Sequence, residues 1–512
     1  MIAVLNFGGQ YCHLIARRVR DLGVYSEVLP CNITIEGLKK LKPSGIILSG
    51  GPSSVYEENA PSMKKKILEL GIPILGICYG LQLIAYFIGG KVLGGKLKEF
   101  GKATLKVKKT GRLLKGLSRS EQVWMSHGDL VASLPKDFET LASTGSCPIA
   151  AFENNFRKIY GIQFHAEVVH TLKGKEILKN FIFGVCRSKK EWNMKNLAQK
   201  ITNEMEKEIG KGSVIMGVSG GVDSTVAATL LHKSIGDRLF CVFIDHGLIR
   251  KSEAEEVQDF FKKKLNFKHF HFVDASKIFL GRLKGVTDPE EKRKIIGHTF
   301  IEVFESKVLE LEKKNPEIRF LGQGTIYPDR IESAQPTKHA SKIKSHHNVT
   351  LPEKMKLKVV EPLKELYKDE VRLLGKQLKT PKEMIGRHPF PGPGLAIRIL
   401  GKITEERLKI LREADYIYIE ELRKAKLYGK IWQAFAALFP VKTVGVMGDA
   451  RTYEYVITLR AVTSKDAMTA DWAKIPYPIL EKISNRIINE VRGVNRVVYD
   501  ISQKPPATIE YE

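Results

Sequence analysis

Gly217-Val218-Ser219-Gly220-Gly221-Val222-Asp223-Ser224 is the stretch from which the rest of the chain is best read. The apolar run 213–216 ahead of it suits a buried strand, and 225–231 behind it suits a helix packing one face on a sheet. Strand, glycine-rich turn and helix in that order aim free backbone N–H groups and the positive end of a helix dipole at an anion. Gly220 and Gly221 let the backbone come close, and the hydroxyls of Ser219, Ser224 and Thr225 add donors. No lysine follows the turn, so it is not the GxxxxGK[ST] loop, whose lysine reaches the terminal phosphates.

The stretch resembles the SGGxDS loop of the N-type ATP pyrophosphatases. The resemblance implies ATP as co-substrate, its β,γ-pyrophosphate held by Ser219, Gly220, Gly221, Val222, Asp223 and Ser224 while a substrate oxygen attacks the α-phosphorus. Asp223 is the candidate for the shell of a Mg2+ ion. An ordinary glycine-rich strand-to-helix turn is the plainer reading; six matching positions in the right context weigh against it.

At 512 residues the chain needs more than one core. Its apolar runs are too short to cross a bilayer, so no membrane association is expected. The start, Met1-Ile2-Ala3-Val4-Leu5-Asn6-Phe7, reads as a first strand and not as a signal peptide. Cys12, Cys31, Cys78, Cys147, Cys186 and Cys241 are scattered without a CxxC pair, which argues against a zinc site or a disulfide framework and for a reducing cytoplasm. Lys and Arg number 83 against 57 Asp and Glu, a net +26. That excess permits nucleic-acid binding, but the lysine runs 64–66 and 262–264 lack interleaved aromatics. A lysine-rich surface on an enzyme of anionic substrates is preferred, and nucleic acid is not expected as a partner.

Residues 1–190 alternate apolar runs fit for parallel strands (2–7, 45–49, 72–77) with segments of helical spacing (11–22, 81–88). This is the pattern of an open α/β sheet, whose sites lie beyond the carboxyl ends of its strands. At one such end, Gly76-Ile77-Cys78-Tyr79-Gly80-Leu81-Gln82 flanks a cysteine with glycines, permitting a sharp elbow that presents the Cys78 thiol at a helix N-terminus. An isolated cysteine is usually a small buried hydrophobe. Here two further stretches argue otherwise. Gln163-Phe164-His165-Ala166-Glu167 closes a predicted strand, 159–164, so His165 can take the thiol proton and return it to a leaving amine while Glu167 orients the ring. Leu48-Ser49-Gly50-Gly51-Pro52 offers backbone N–H groups, and that of Gly51 with that of Tyr79 can form an oxyanion hole.

Together these stretches resemble a class I (triad) glutamine amidotransferase, over about the first 190 residues. The resemblance implies L-glutamine as substrate and Cys78, His165 and Glu167 as catalytic residues. The family usually has proline where this chain has Ala166, so the turn is expected to be less rigid. Trp124-Met125-Ser126-His127-Gly128-Asp129 is similar to a segment of the family's GMP synthases that would lie near the glutamine pocket; a structural loop is an equally good reading.

Residues 189–203 are polar and amphipathic and read as the linker into a second domain, with Leu197, Ile201, Met205 and Ile209 at helical spacing. Predicted strands 213–218, 239–244, 269–273 and 318–322 make a second α/β unit. Asp245 ends the second of them, where a carboxylate often meets the ribose of ATP; a turn-forming aspartate is the competing reading. Four segments then resemble the GMP synthases: 287–297, 321–329, 343–349 and 360–363. The basic cluster 292–294 offers charge to an anionic nucleotide. Lys344, beside His346 and His347, belongs to a stretch resembling the family's mobile lid over ATP, shortened here to Thr350 before Leu351-Pro352. Adjacent histidines rarely chelate one ion, so zinc is not expected, nor is a redox cofactor.

His388-Pro389-Phe390-Pro391-Gly392-Pro393-Gly394-Leu395-Ala396 cannot be helix, and a mixed α+β pattern follows it: helices 405–425 and 478–491, strands 443–447, 455–462 and 497–501. This looks like the C-terminal domain of the GMP synthases, which implies a homodimer and part of the XMP site. Arg293, Pro391, Gly392, Gly394, Lys504, Thr508, Ile509 and Glu510 are carried over as XMP-binding residues. Because chain ends are often disordered, the terminal segment is expected to order on binding. The family commonly ends with Trp where Tyr511 stands.

The chain is thus read as α/β: two open parallel-sheet domains plus a C-terminal α+β dimerisation domain. The resemblance implies a flavodoxin-like amidotransferase (1–190), an adenine-nucleotide α-hydrolase-like ATP pyrophosphatase (191–387) and a dimerisation and XMP-binding domain (388–512). The implied activity is glutamine-dependent amination of XMP to GMP in the cytoplasm. An asparagine synthetase would need a cysteine where Ile2 stands, and a glutamine-dependent NAD synthetase would carry a nitrilase-type domain in place of the 78/165/167 pattern. A tRNA-thiolating pyrophosphatase would need catalytic cysteines in the second domain, which holds only Cys241.

Overall fold

The computed structural model describes residues 1–329, 357–464 and 469–512. It divides into two compact units, Met1–Asn196 and Leu197–Glu512.

The first unit is built on a nine-stranded sheet. Its strands are β1 (Ile2–Asn6), β2 (Ser26–Pro30), β3 (Gly45–Leu48), β4 (Ile74–Ile77), β5 (Lys91–Val107), β6 (Ser120–Ser133), β7 (Glu139–Ser143), β8 (Ala151–Asn154) and β9 (Ile159–Ile162). They lie in the order β2-β1-β3-β4-β9-β8-β7-β5-β6. From β2 to β9 all neighbours are parallel, and β1, β3, β4 and β9 are almost wholly apolar because helices cover both faces. From β9 onward the pairing is antiparallel, a half of the sheet that the sequence reading did not anticipate. The segment 124–129 lies inside β6, so it is strand and not loop.

A helix over Met194–Ile209 covers most of the expected linker, and its buried residues are Leu197, Ile201, Met205 and Ile209. That stripe is one face at a spacing of four, and each such side chain contributes roughly 1.5–3 kcal/mol on burial.

The second unit holds two sheets. The first contains β10 (Ser213–Gly217), β11 (Leu239–Asp245), β12 (His269–Asp274), β13 (Ile318–Gly322) and β14 (Lys358–Val360), all parallel, in the order β12-β11-β10-β13-β14. Chain order reverses between β10 and β13, and ligands of open parallel sheets bind at such a reversal. The second sheet pairs β15 (Gln433–Met447), β16 (Ala450–Thr463), β17 (Asp471–Trp472) and β18 (Val494–Asp500), with helices Glu405–Lys424 and Tyr477–Glu490 packed against it. One apolar cluster runs from Ile215 and Val242 through Leu395, Leu411 and Ile457 to Val494, so both sheets share a core. The Pro/Gly stretch holds no α-helix, but Gly394–Arg398 closes as a 3-10 turn, a tighter form than the sequence suggested.

Candidate functional sites

Three adjacent strands of the first sheet, β3, β4 and β9, end at one place. Cys78 follows β4 with φ +54°, in the left-handed region, and heads the helix Tyr79–Phe87. The elbow is tight: a Cβ at Gly76 would meet the Gly80 backbone at 2.5 Å, and one at Gly80 would meet Leu48 O at 2.5 Å. Glycine is therefore obligatory at both positions. The loop after β3 crosses directly over the site. A Cβ at Gly50 would lie 3.2 Å from His165 Cε1 and 3.7 Å from Cys78 Cβ, so cysteine and histidine flank this glycine together. The buried Ser49 hydroxyl donates to Gly50 O (2.9 Å) and accepts from Phe7 N (3.0 Å), which fixes the peptide that carries the Gly51 N–H.

His165 follows β9 and is held on all sides. Its Nδ1 pairs with Glu167 Oε1 at 2.7 Å, its N–H donates to Trp124 O (3.0 Å), and its carbonyl accepts from Thr171 Oγ1 (2.6 Å). The ring meets Tyr11 edge-on, with centroids 5.0 Å apart. Burial works against the imidazolium, but the Glu167 charge and the hydrogen bonds the ring makes with Glu167 and Cys78 outweigh it, lifting the histidine to about 10. The Cys78 thiol also donates to Ser126 O at 3.5 Å, which places the 124–129 segment at the nucleophile. The sequence reading missed the rest of this wall. Glu99, on β5, faces His127 across the ladder (Oε2 to Nε2, 3.2 Å) and accepts from Thr144 Oγ1 (3.1 Å). Gln82 Nε2 donates to Asp129 O at 2.8 Å.

The loop 217–224 leaves β10 beside the chain reversal. Gly220 has φ +72°, and a Cβ there would strike Val257 Cγ2 at 2.5 Å. Ser219 and Ser224 brace the loop: their hydroxyls are 3.2 Å apart, Gly221 N donates to Ser219 Oγ (3.3 Å), and Ser219 N to Ser224 Oγ (3.3 Å). The helix Val222–Ile235 begins on Gly221 with no side-chain cap, leaving its first N–H groups to the loop's concavity. The expected Thr225 donor is a correction: its hydroxyl is enclosed in the interior, so Ser219 and Ser224 are the hydroxyls the loop presents. Behind the loop, Arg387 Nη1 reaches Gly220 O (3.4 Å) and its Nη2 pairs with Glu256 (2.8 Å). A Cβ at Gly324, after β13, would lie 3.3 Å from the backbone of Asp223 and Ser224, so a side chain there would crowd the loop.

Asp223 Oδ2 is paired with Lys368, while its Oδ1 is buried without a partner among the described residues. A hard oxygen donor left open beside a phosphate-type loop suits magnesium, which takes few protein ligands and fills its sphere with water and phosphate oxygens. Among the described residues no three His, Cys, Asp or Glu side chains group as a metal site. Asp245 closes a turn, accepting from Gly247 N at 2.8 Å, and lines a cleft of about 460 Å³ with Asp274, Ser276 and Arg412. Lys344, with His346 and His347, lies outside the described residues.

The residues expected to bind XMP sit on three segments. Arg293, in the helix Pro289–Lys314, pairs with Glu290 at 3.1 Å. Its neighbour Lys292 corrects the basic-cluster reading: it is fully buried on Glu512, so only Arg293 and Lys294 of that cluster remain to meet an anion. At Gly394 the missing Cβ is demanded by Leu248 O, 2.3 Å away, whereas a Cβ at Gly392 would meet nothing within 4 Å. The close approach expected of both glycines is thus open at Gly392 and already filled at Gly394. The terminal segment is not a free tail, contrary to the expectation that it orders on binding. Lys504 bridges to Ala470 through the backbone (2.8 and 3.0 Å), Ile509 is buried with Phe435 and Val462, and Tyr511 donates to Asp500 Oδ2 (2.8 Å). The Glu510 carboxylate is taken up by the buried Arg398 guanidinium (3.0 and 2.9 Å) and by Gln433 (2.6 Å). Thr508 Oγ1 turns onto Glu510 O.

A buried cysteine–histidine–glutamate constellation at the ends of parallel strands defines a glutamine amidotransferase, and the profile of class-I glutamine amidotransferases matches residues 3–185. Profiles described as NAD synthase and GMP synthase C terminal domain match residues 193–295 and 420–511. A GMP synthase [glutamine-hydrolyzing] of Carboxydothermus hydrogenoformans is 57% identical over 512 residues, covering 100% of this chain and 99% of its own. The enzyme of that name from Aquifex aeolicus is 57% identical over 514 residues, with coverage of 100% and 99%. A solved structure of a glutamine amidotransferase from Thermotoga maritima is 18% identical, with a TM-score of 0.30, and covers 36% of this chain and 98% of its own. The chain belongs to the glutamine-hydrolysing GMP synthase family.

Proposed function

We propose that the chain converts XMP to GMP, with nitrogen from glutamine and ATP cleaved to AMP and pyrophosphate. The balance is ATP + XMP + L-glutamine + water → GMP + L-glutamate + AMP + pyrophosphate, a carbon–nitrogen ligase reaction of guanine nucleotide biosynthesis. The observation that carries the reading is that one chain holds both the Cys78–His165–Glu167 constellation and the lysine-free glycine loop at 217–224.

In the first half-reaction Cys78 Sγ attacks the glutamine amide carbon. His165 carries the proton to the leaving nitrogen, and Glu167 favours the protonated ring. The N–H groups of Gly51 and Tyr79 serve as the oxyanion hole. Ammonia leaves, and water releases glutamate from the thioester. In the second, the C2 oxygen of XMP attacks the α-phosphorus of ATP and pyrophosphate departs. Ser219, Gly220, Gly221, Val222 and Ser224 hold its charge through backbone N–H groups and hydroxyls. Asp223 would hold magnesium, which supplies charge neutralisation on the pyrophosphate when bound. Ammonia then displaces AMP from the adenylated purine.

On the family resemblance, Asp245 and Lys344 are ATP contacts, and Arg293, Pro391, Gly392, Gly394, Lys504, Thr508, Ile509 and Glu510 form the XMP site. The division of labour follows 1–190, 191–387 and 388–512. A homodimer through the last of these is supported by exposed apolar side chains on one face of β15 and β16, where Val444 pairs with Tyr453 and Val446 lies two residues further along. Sedimentation tests it: Val446→Glu should give a monomer, and an unchanged species would remove the dimer from that face. Six unpaired cysteines support a reducing, cytoplasmic setting. Cys78→Ala tests the scheme as a whole. Glutamine-dependent synthesis should vanish while ammonia-dependent synthesis persists; loss of both would contradict it.

A further inference from the structure

The Lys292 ammonium is the point at which all three segments of the expected XMP site meet. It leaves the helix Pro289–Lys314 one residue before Arg293 and is fully buried. Its Nζ donates to Ala396 O at 3.1 Å and Ile399 O at 2.8 Å, carbonyls just beyond Pro391, Gly392 and Gly394. The third partner is the Glu512 carboxylate, two residues past Glu510. Glu512 Oε1 also accepts from Gly401 N at 3.0 Å. Every donor direction of the ammonium is thus used, tying the helix to the turn and to the chain end.

We propose that Lys292 and Glu512 are positioning residues for XMP: their buried ion pair sets the spacing between Arg293, the Pro391–Gly394 turn and the terminal contacts Lys504 and Thr508. The proposal rests on the XMP assignment above. Its physical basis is that a buried charge pair with satisfied hydrogen bonds has one low-energy geometry, whereas a lone buried charge is strongly disfavoured and drags its neighbours. The Arg398–Glu510 pair anchors the same terminal segment to the same turn, so the segment is held at two places. Lys292 itself does not touch the nucleotide in this account.

The test uses ammonia-dependent synthesis by the full-length chain, reading KM for XMP, KM for ATP and kcat separately. Glu512→Gln keeps shape at the chain end and removes the charge. It should raise KM for XMP about tenfold, with KM for ATP and kcat within about twofold, because tenfold corresponds to losing one charge-assisted contact. Lys292→Met should do the same or more, and Lys292→Arg should recover part of the affinity. Should Lys292→Met not fold, Glu512→Gln carries the test alone. Equal rises in both KM values, or an unchanged KM for XMP in Glu512→Gln, would overturn the proposal. Arg293→Ala separates it from its foundation. A raised KM for XMP there with none in Glu512→Gln sinks the positioning role alone. No effect in Arg293→Ala would remove the XMP assignment and the proposal with it.

Discussion

His165 Nδ1 lies 2.7 Å from Glu167 Oε1, and both side chains are buried. With Nδ1 committed to the carboxylate, Nε2 is left as the nitrogen that works on the Cys78 thiol, so the pair fixes both the tautomer and the ring plane. Glu167→Gln keeps the shape and loses the charge. Glutaminase kcat should fall about 10²-fold or more while ammonia-dependent synthesis stays unchanged. The pair also predicts a stability slope. A histidine whose folded value is raised from 6.5 to about 10 contributes stability fully present below 6.5 and lost as pH climbs through about 10. Unfolding by urea across that window should show a decline that is weaker in Glu167→Gln, and parallel curves would contradict the coupling.

Gly220 cannot carry a side chain without moving the loop. Its φ is +72° and Val257 would sit 2.5 Å from the new carbon. Gly220→Ala should raise KM for ATP about tenfold, a strain of roughly 1–3 kcal/mol expressed in binding. Glutaminase activity of the first unit gives the internal control. An unaltered KM for ATP would show that the loop does not hold the nucleotide.

His246 is buried, and its Nδ1 accepts from Leu248 N at 3.1 Å. Burial, then the nearby Arg412 charge, lowers it to about 4. A base depressed in the folded state is neutral there while the unfolded chain binds a proton, so stability is lost as pH falls from 6.5 toward 4. His246→Asn should lose about 2 kcal/mol less than the parent between neutrality and about pH 5. Equal losses, measured by urea unfolding, would contradict this reading.

The sites were legible where chemistry is local. Glycines on either side of Cys78, the paired glycines of 50–51 and the loop 217–224 are short signals that report tight turns at strand ends, and the fold put each at such an end. What depends on distant pairing was hidden. Glu99 meets His127 only because two long antiparallel strands adopt one register around a bulge. Lys368 reaches Asp223 across 145 residues, and Arg398 reaches Glu510 across 112. Lys292 was hidden too: its charge suggested a cation free to meet a nucleotide, whereas it lies with Ile296 and Thr299 on the buried face of its helix, at spacings of four and three.

The central claim is that ATP is cleaved between its α- and β-phosphates to activate XMP. The most direct measurement follows nucleotides by chromatography in a mixture of protein, XMP, Mg-ATP and ammonium, with glutamine in a parallel arm. The account predicts AMP and pyrophosphate formed one for one with GMP in both arms. Formation of ADP and phosphate, or XMP left intact with either nitrogen source, would contradict it.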